Sequence, residues 1–187
     1  MATFGITTIG GSTNSASSPR LQKFTAPEDG TITSISSYRQ QSSSSSTIQS
    51  AIYDDDAGVP GNLLAISSDT VSVTTTAGWY TNVISCAVVS GSVYWIGSRV
   101  PNVSGSEFIF YTTGGTSQHS GTNSGTFTDP WDGTLGFFPL DGLMSVYATY
   151  TPAESGGAGR PTATGRLIAT GRLTAGTRAS ATGRLAV

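Results

Sequence analysis

Histidine, cysteine and grouped carboxylates are the side chains from which active sites are most often built, and this sequence holds few of them. His119 is its only histidine and Cys86 its only cysteine. A Ser–His–Asp triad would have to use His119, which stands in a Gly/Ser/Thr loop, and no Gly-x-Ser-x-Gly elbow presents a nucleophile. Cys86, between Ile84 and Val88, reads as a buried thiol. One histidine and one cysteine cannot form the usual zinc sets within a chain. Asp54, Asp55 and Asp56 offer several oxygens in one turn, the ligand type calcium takes; their spacing is not that of an EF-hand, and solvated turn carboxylates are the ordinary alternative. The glutamates Glu28, Glu107 and Glu154 fall near strand ends or a linker, and a pair for glycoside hydrolysis would have to meet in the fold. No Gly-x-x-x-x-Gly-Lys-Ser/Thr loop is present to cradle phosphate. The expectation is a protein without catalytic residues, resident metal or cofactor. The best binding candidate is Trp131, with Asp132 beside it, in the turn Asp129-Pro130-Trp131-Asp132-Gly133: a turn-borne indole suits a sugar ring, and packing over the end of the fold is the alternative.

The elements that must carry these residues are strands. Only 11% of the 187 residues are charged, against about 25% in an average soluble domain. Ser, Thr and Gly replace them, the charged helix formers are scarce in the body, and Thr, Val, Ile and Tyr favour strands. Residues 2–9 alternate loosely, Gly10 to Pro19 reads as a loop, and alternation resumes at Leu21–Phe24. After a turn at Pro27–Gly30 the next strand places Ile32, Ser34, Ser36 and Tyr38 on one face and Thr31, Thr33, Ile35 and Ser37 on the other. Ser42–Ser46 reads as a surface loop, with a solvent-facing strand edge as the alternative. A strand ending at Asp54 runs into a turn-rich stretch to Asn62, and short strands follow at 63–66, 71–75, 79–84, 93–96 and 107–111. Thr112–Asn123 is a polar loop, and Leu143–Tyr150 is the best-patterned strand. Tyr53, Trp79, Tyr94 and Trp95 are read as core or sheet-face aromatics, with Trp79 and Tyr94 inside. Eight or more strands with frequent turns and no helical stretch predict a two-sheet antiparallel β-sandwich. No segment has the roughly 18 apolar residues of a membrane helix.

Beyond residues 152–159, a Gly/Ser/Pro linker, the character changes. Arg160, Arg166, Arg172, Arg178 and Arg184 stand six apart. Six is even, so an extended chain projects every arginine to one side, while the other side carries Leu167, Leu173, Leu185, alanines and glycines. A helix would scatter the arginines around its axis. Such a ribbon buries too little to fold alone; a partner surface, a sheet edge or copies of itself would support it, and a structureless tail is the plain alternative. Charge divides at the same place. Residues 1–154 hold four basic and eleven acidic side chains, a net of −7, and residues 155–187 hold five arginines and no acid, a net of +5. The arm is therefore expected to meet something acidic. Five spaced arginines without interleaved aromatics lack a stacking platform, which argues against nucleic acid.

The run Ala51-Ile52-Tyr53-Asp54 followed by Gly58-Val59-Pro60-Gly61-Asn62-Leu63-Leu64-Ala65, then Gly78-Trp79-Tyr80 and Tyr94-Trp95, resembles a jelly-roll β-sandwich module recurrent in bacterial surface proteins and phage particle proteins. The likeness covers roughly residues 21–150. It implies a jelly-roll body, and its members include carbohydrate-binding-like modules as well as particle components. The tail resembles Thr-Ala-Thr-Gly-type repeats in minor tail and decoration proteins of phages that infect actinobacteria. The organisation expected is an N-terminal strand and loop (1–20), a jelly roll (21–151), the linker (152–159) and an extended basic arm (160–187). The N-terminus lacks the basic start and apolar run of an export signal. With the resemblance, this points to a bacteriophage virion component made in the host cytoplasm, either a capsid decoration protein or head fibre or a minor tail protein. Its partners would be other virion proteins or copies of itself, without a membrane. Recognition of a glycan is the alternative function.

Overall fold

The computed structural model describes residues 1–15, 18–43, 46–101, 107–114, 118–120, 126–131 and 142–154. They form strands β1 (Ala2–Gly5), β2 (Ser12–Ser15), β3 (Arg20–Thr25), β4 (Gly30–Gln41), β5 (Ser46–Asp56), β6 (Val59–Ile66), β7 (Val71–Val73), β8 (Gly78–Val88), β9 (Val93–Arg99), β10 (Glu107–Thr113), β11 (Gln118–Ser120), β12 (Gly142–Met144) and β13 (Val146–Pro152). No helix occurs among the described residues.

Two antiparallel sheets carry the fold. One runs β1-β13-β4-β8 and the other β3-β9-β5-β6. Counting these eight strands along the chain, the first sheet holds the first, eighth, third and sixth, and the second holds the second, seventh, fourth and fifth. That is the order of a jelly roll. The fold is therefore the one expected from the sequence. The remaining strands are additions: β7 pairs with β5, β11 with β3, and β10 with β2, with β12 and with the end of β4.

Between the sheets lie Ile32, Ile35, Ile52, Ile84, Val88, Tyr94, Ile96, Val146, Ala148 and Tyr150. Burial at about 25 cal/mol per Å² of apolar surface makes this layer the main source of stability. Gly97 sits where β3 and β9 approach each other, and a Cβ there would fall 1.8 Å from the Arg20 carbonyl oxygen. The β5–β6 hairpin closes through Ala57 and Gly58, both with positive φ (52° and 94°), as tight hairpin turns require.

Several local expectations change. The first 20 residues do not form a separate segment: β1 pairs with β13 and β2, within the expected Gly10–Pro19 loop, pairs with β10. The turn expected over 54–62 narrows to two residues, because Asp55 and Asp56 pair with Pro60 and Val59. Ile32 does not share a face with Ser34, Ser36 and Tyr38. The β4 register against β13 shifts beside Thr33, and such a bulge moves the alternation by one residue. Ile32 and Ile35 consequently both point inward, while Ser34, Ser36 and Tyr38 face out.

At the end of the sandwich joined by β10, the Arg39 guanidinium and the Glu107 carboxylate form a fully buried ion pair. Arg39 also donates to Ser37 Oγ (3.0 Å) and to Ser98 Oγ, and Glu107 accepts from Ser46 Oγ (2.8 Å). Removing one partner strands the other charge in a dry site, which costs about 3–5 kcal/mol. Urea denaturation of Arg39→Met and of Glu107→Leu is expected to show losses of about that size. The double variant is expected to lose clearly less than the two losses added together.

Candidate functional site

The outer face of the second sheet is covered. Leu21, Ala51, Tyr53 and Trp95 point outward from it, and Phe127 and Trp131 close over them in a second apolar cluster. The strap 126–131 is fastened by its backbone and by the Asp129 side chain. Tyr53 Oη donates to the Thr128 carbonyl (2.9 Å), the Trp131 N–H to the Gly61 carbonyl (2.8 Å), and the Leu63 N–H to Asp129 Oδ1 (3.0 Å). The Trp131 and Tyr53 rings meet edge to face at 5.3 Å, and the Arg99 guanidinium lies 5.4 Å from the centre of the Phe127 ring. Burial pushes the Tyr53 phenol well above its ordinary ionisation range.

Trp131 is thus 9% exposed and serves as a plug, not as the displayed platform its turn setting implied. A turn aromatic beside an uncovered apolar sheet face gains more from packing than from display. Asp132 lies outside the described residues, as do Arg160, Arg166, Leu167, Arg172, Leu173, Arg178, Arg184 and Leu185.

The outer face of the first sheet is different. Phe110 from β10, Tyr38 from β4, Trp79 from β8 and Tyr147 from β13 form a continuous row, each half-buried. Ring centres are 4.9 Å apart for Phe110–Tyr38, 5.4 Å for Tyr38–Trp79 and 4.9 Å for Trp79–Tyr147, all edge to face. The register explains the row. Tyr38 stands opposite Trp79, and the small Ser36 stands between Tyr147 and Thr81, so Tyr147 reaches diagonally across to the indole. Ser36 Oγ and Thr81 Oγ1 are hydrogen-bonded at 2.8 Å beside the rings. Trp79, expected inside, is on this surface because Asn82 and Ile84 occupy the inward positions of β8; Tyr94 is inside as expected.

Among the described residues the chemistry-bearing side chains do not gather. Asp54 accepts from the Asn62 backbone N–H and side-chain amide, and Asp55 accepts from the Gly58 N–H (3.1 Å) and Trp95 Nε1 (2.8 Å). These carboxylates shape the β5–β6 hairpin instead of converging as a calcium cradle, and no metal-binding group of three such side chains exists among the described residues. Glu28 accepts from the Tyr150 hydroxyl (2.6 Å) while Glu107 is in the ion pair, so neither partners the other. Burial raises the Cys86 thiol above its usual range, away from the thiolate that reacts. The His119 backbone belongs to β11, within the stretch expected as loop.

The chain matches no protein-family model and no curated protein. What it offers chemically is therefore read from its own surfaces: one sheet face sealed by its strap, and one carrying a row of aromatics flanked by hydroxyls.

The two tryptophans are expected to separate by stability. Trp131→Ala removes a buried ring and is expected to cost about 3–5 kcal/mol in urea denaturation. Trp79→Ala, on the half-open face, is expected to cost about 1 kcal/mol.

Proposed function

We propose that the protein is a non-enzymatic structural component of a bacteriophage particle, with the jelly roll as displayed body and residues 160–187 as the segment that attaches it. The observation carrying this reading is the joining of a self-contained jelly roll of net −7 to a six-residue cationic repeat of net +5. A body with a packed core and a sealed second sheet face needs no further chain to fold. A ribbon with arginines on one side and leucines and alanines on the other does need a supporting surface. Multiple copies would add avidity to each weak contact. Decoration of a capsid and a place in the tail both fit this arrangement.

A second function is favoured by the Phe110–Tyr38–Trp79–Tyr147 row: recognition of a glycan on the first sheet's outer face. Aromatic carbon surface bordered by Ser and Thr hydroxyls matches the alternating apolar faces and hydroxyl edges of sugars. Display and sugar recognition are compatible in one molecule.

Light scattering on the full chain and on a chain ending at Glu154 tests the attachment reading. The full chain is expected to be a trimer or larger and the truncated one a monomer; equal masses at every concentration count against self-attachment. For the second function, a broad glycan array is expected to show saturable binding that Trp79→Ala weakens at least about tenfold. No binding across the panel removes it.

A further inference from the structure

The first sheet ends in a strand that nature usually guards. Among the described residues β8 pairs only with β4, so its other edge presents eleven residues' worth of backbone without a ladder partner. Sheet edges are commonly protected by lysine, proline or an inward-pointing charge. The β8 sequence, Gly-Trp-Tyr-Thr-Asn-Val-Ile-Ser-Cys-Ala-Val, contains none of these. A register irregularity near Val83–Cys86 is its one departure from a regular edge. Its outward side chains Thr81, Val83, Ser85 and Ala87 are exposed, and Val83 is 64% exposed. In the second sheet Leu64 and Ile66 on the outermost strand β6 are exposed as well (43% and 41%). Near the C-terminal end of β8 a cleft of about 600 Å³ is lined by Leu64, Ala87, Val93, Tyr94, Asp54 and Asp55.

Charge is distributed to match. Asp29 reaches this end through Oδ1, which accepts from the Ser90 N–H (2.7 Å), and Glu28 precedes it. Of the body's four lysines and arginines, Arg39 and Arg99 lie at the opposite ends of β4 and β9. Arg20 and Lys23 lie on β3, separated from β6 by two strands. The edge thus offers open backbone, exposed aliphatic side chains and nearby carboxylates together, and among the described residues none of these carboxylates is in an ion pair.

We propose that the β8 edge is a strand-addition site whose occupant is the cationic repeat, residues 160–187, of a second copy of this chain. The inference rests on the reading of the repeat as an attachment segment and names its receptor. Each property of the edge has a counterpart in the repeat. Its even period keeps an extended backbone in one orientation, the leucine and alanine side faces the aliphatic surface, and the arginines meet the acidic end. Two repeat units cover twelve residues, about the length of β8. Because donor and acceptor surfaces differ, the contact is heterologous: copies close into a ring or continue as a filament.

The test is light scattering over a concentration series of the full chain, its Val83→Lys and Ser85→Lys variants, and the wild type with excess synthetic peptide of residues 160–187. Both substitutions are on exposed side chains, and unchanged melting temperatures check that the body is intact. Support is association of the wild type that weakens with salt, is at least about tenfold weaker in either variant, and is dissolved by the peptide. Association of both variants like the wild type, with the peptide still competing, overturns the edge as the receptor and leaves the repeat as an attachment segment. A wild type that stays monomeric and binds no peptide overturns the edge and self-attachment together.

Discussion

A guanidinium sealed from water organises one end of this molecule. Arg39, on the last residues of β4, cannot leave its charge unmatched, and the match arrives from β10 as Glu107 with hydroxyls from β5 and β9 around it. Four strands from both sheets thereby converge on one point. The long excursion between β9 and β13 is held to the jelly roll there by this ion pair together with the burial of Ile109 and Met144 in the main core. The β4–β10 pairing spans only Arg39–Gln41 and Glu107–Ile109, so few backbone bonds share the task. Downstream of that anchor, β10 supplies one edge to β2 and the other to β12, and it contributes Phe110 to the aromatic row.

The same excursion also supplies residues 126–131, the strap over the second sheet. A two-sheet sandwich normally presents two solvent-facing sides of similar polar character. Here Leu21, Tyr53, Leu63 and Trp95 make one side too apolar to stay wet, and Phe127 and Trp131 complete a second core over it. The other side keeps its aromatics in a row of edge-to-face contacts, half open. Packing and display are thus divided between the two outer faces by which one receives the covering segment.

The fold was legible because short alternating segments and turn residues leave few alternatives to a sandwich, and the Ala51–Ala65 hairpin motif narrowed it to a jelly roll. Side-chain direction was less legible. Tyr38 changes face through a bulge beside Thr33 that no residue type announces, and β8 alternates two mixed faces, so Trp79 gave no sign of pointing out. Trp131 was recognisable as unusual by its turn, but its burial depends on Tyr53 and Gly61, some 70 residues earlier in the chain. The row of Tyr38, Trp79, Phe110 and Tyr147 joins four separate strands and exists only after the register is set. The carboxylate cluster at 54–56 illustrates the reverse: its composition fits an ion, and its local geometry assigns two of its members to a hairpin turn.

A body that consumes one of its own faces acquires a direction. The strap makes the two broad sides inequivalent: one ends in rings buried under a covering segment, the other in a half-open row of rings. Turning the body over would therefore exchange one surface chemistry for another.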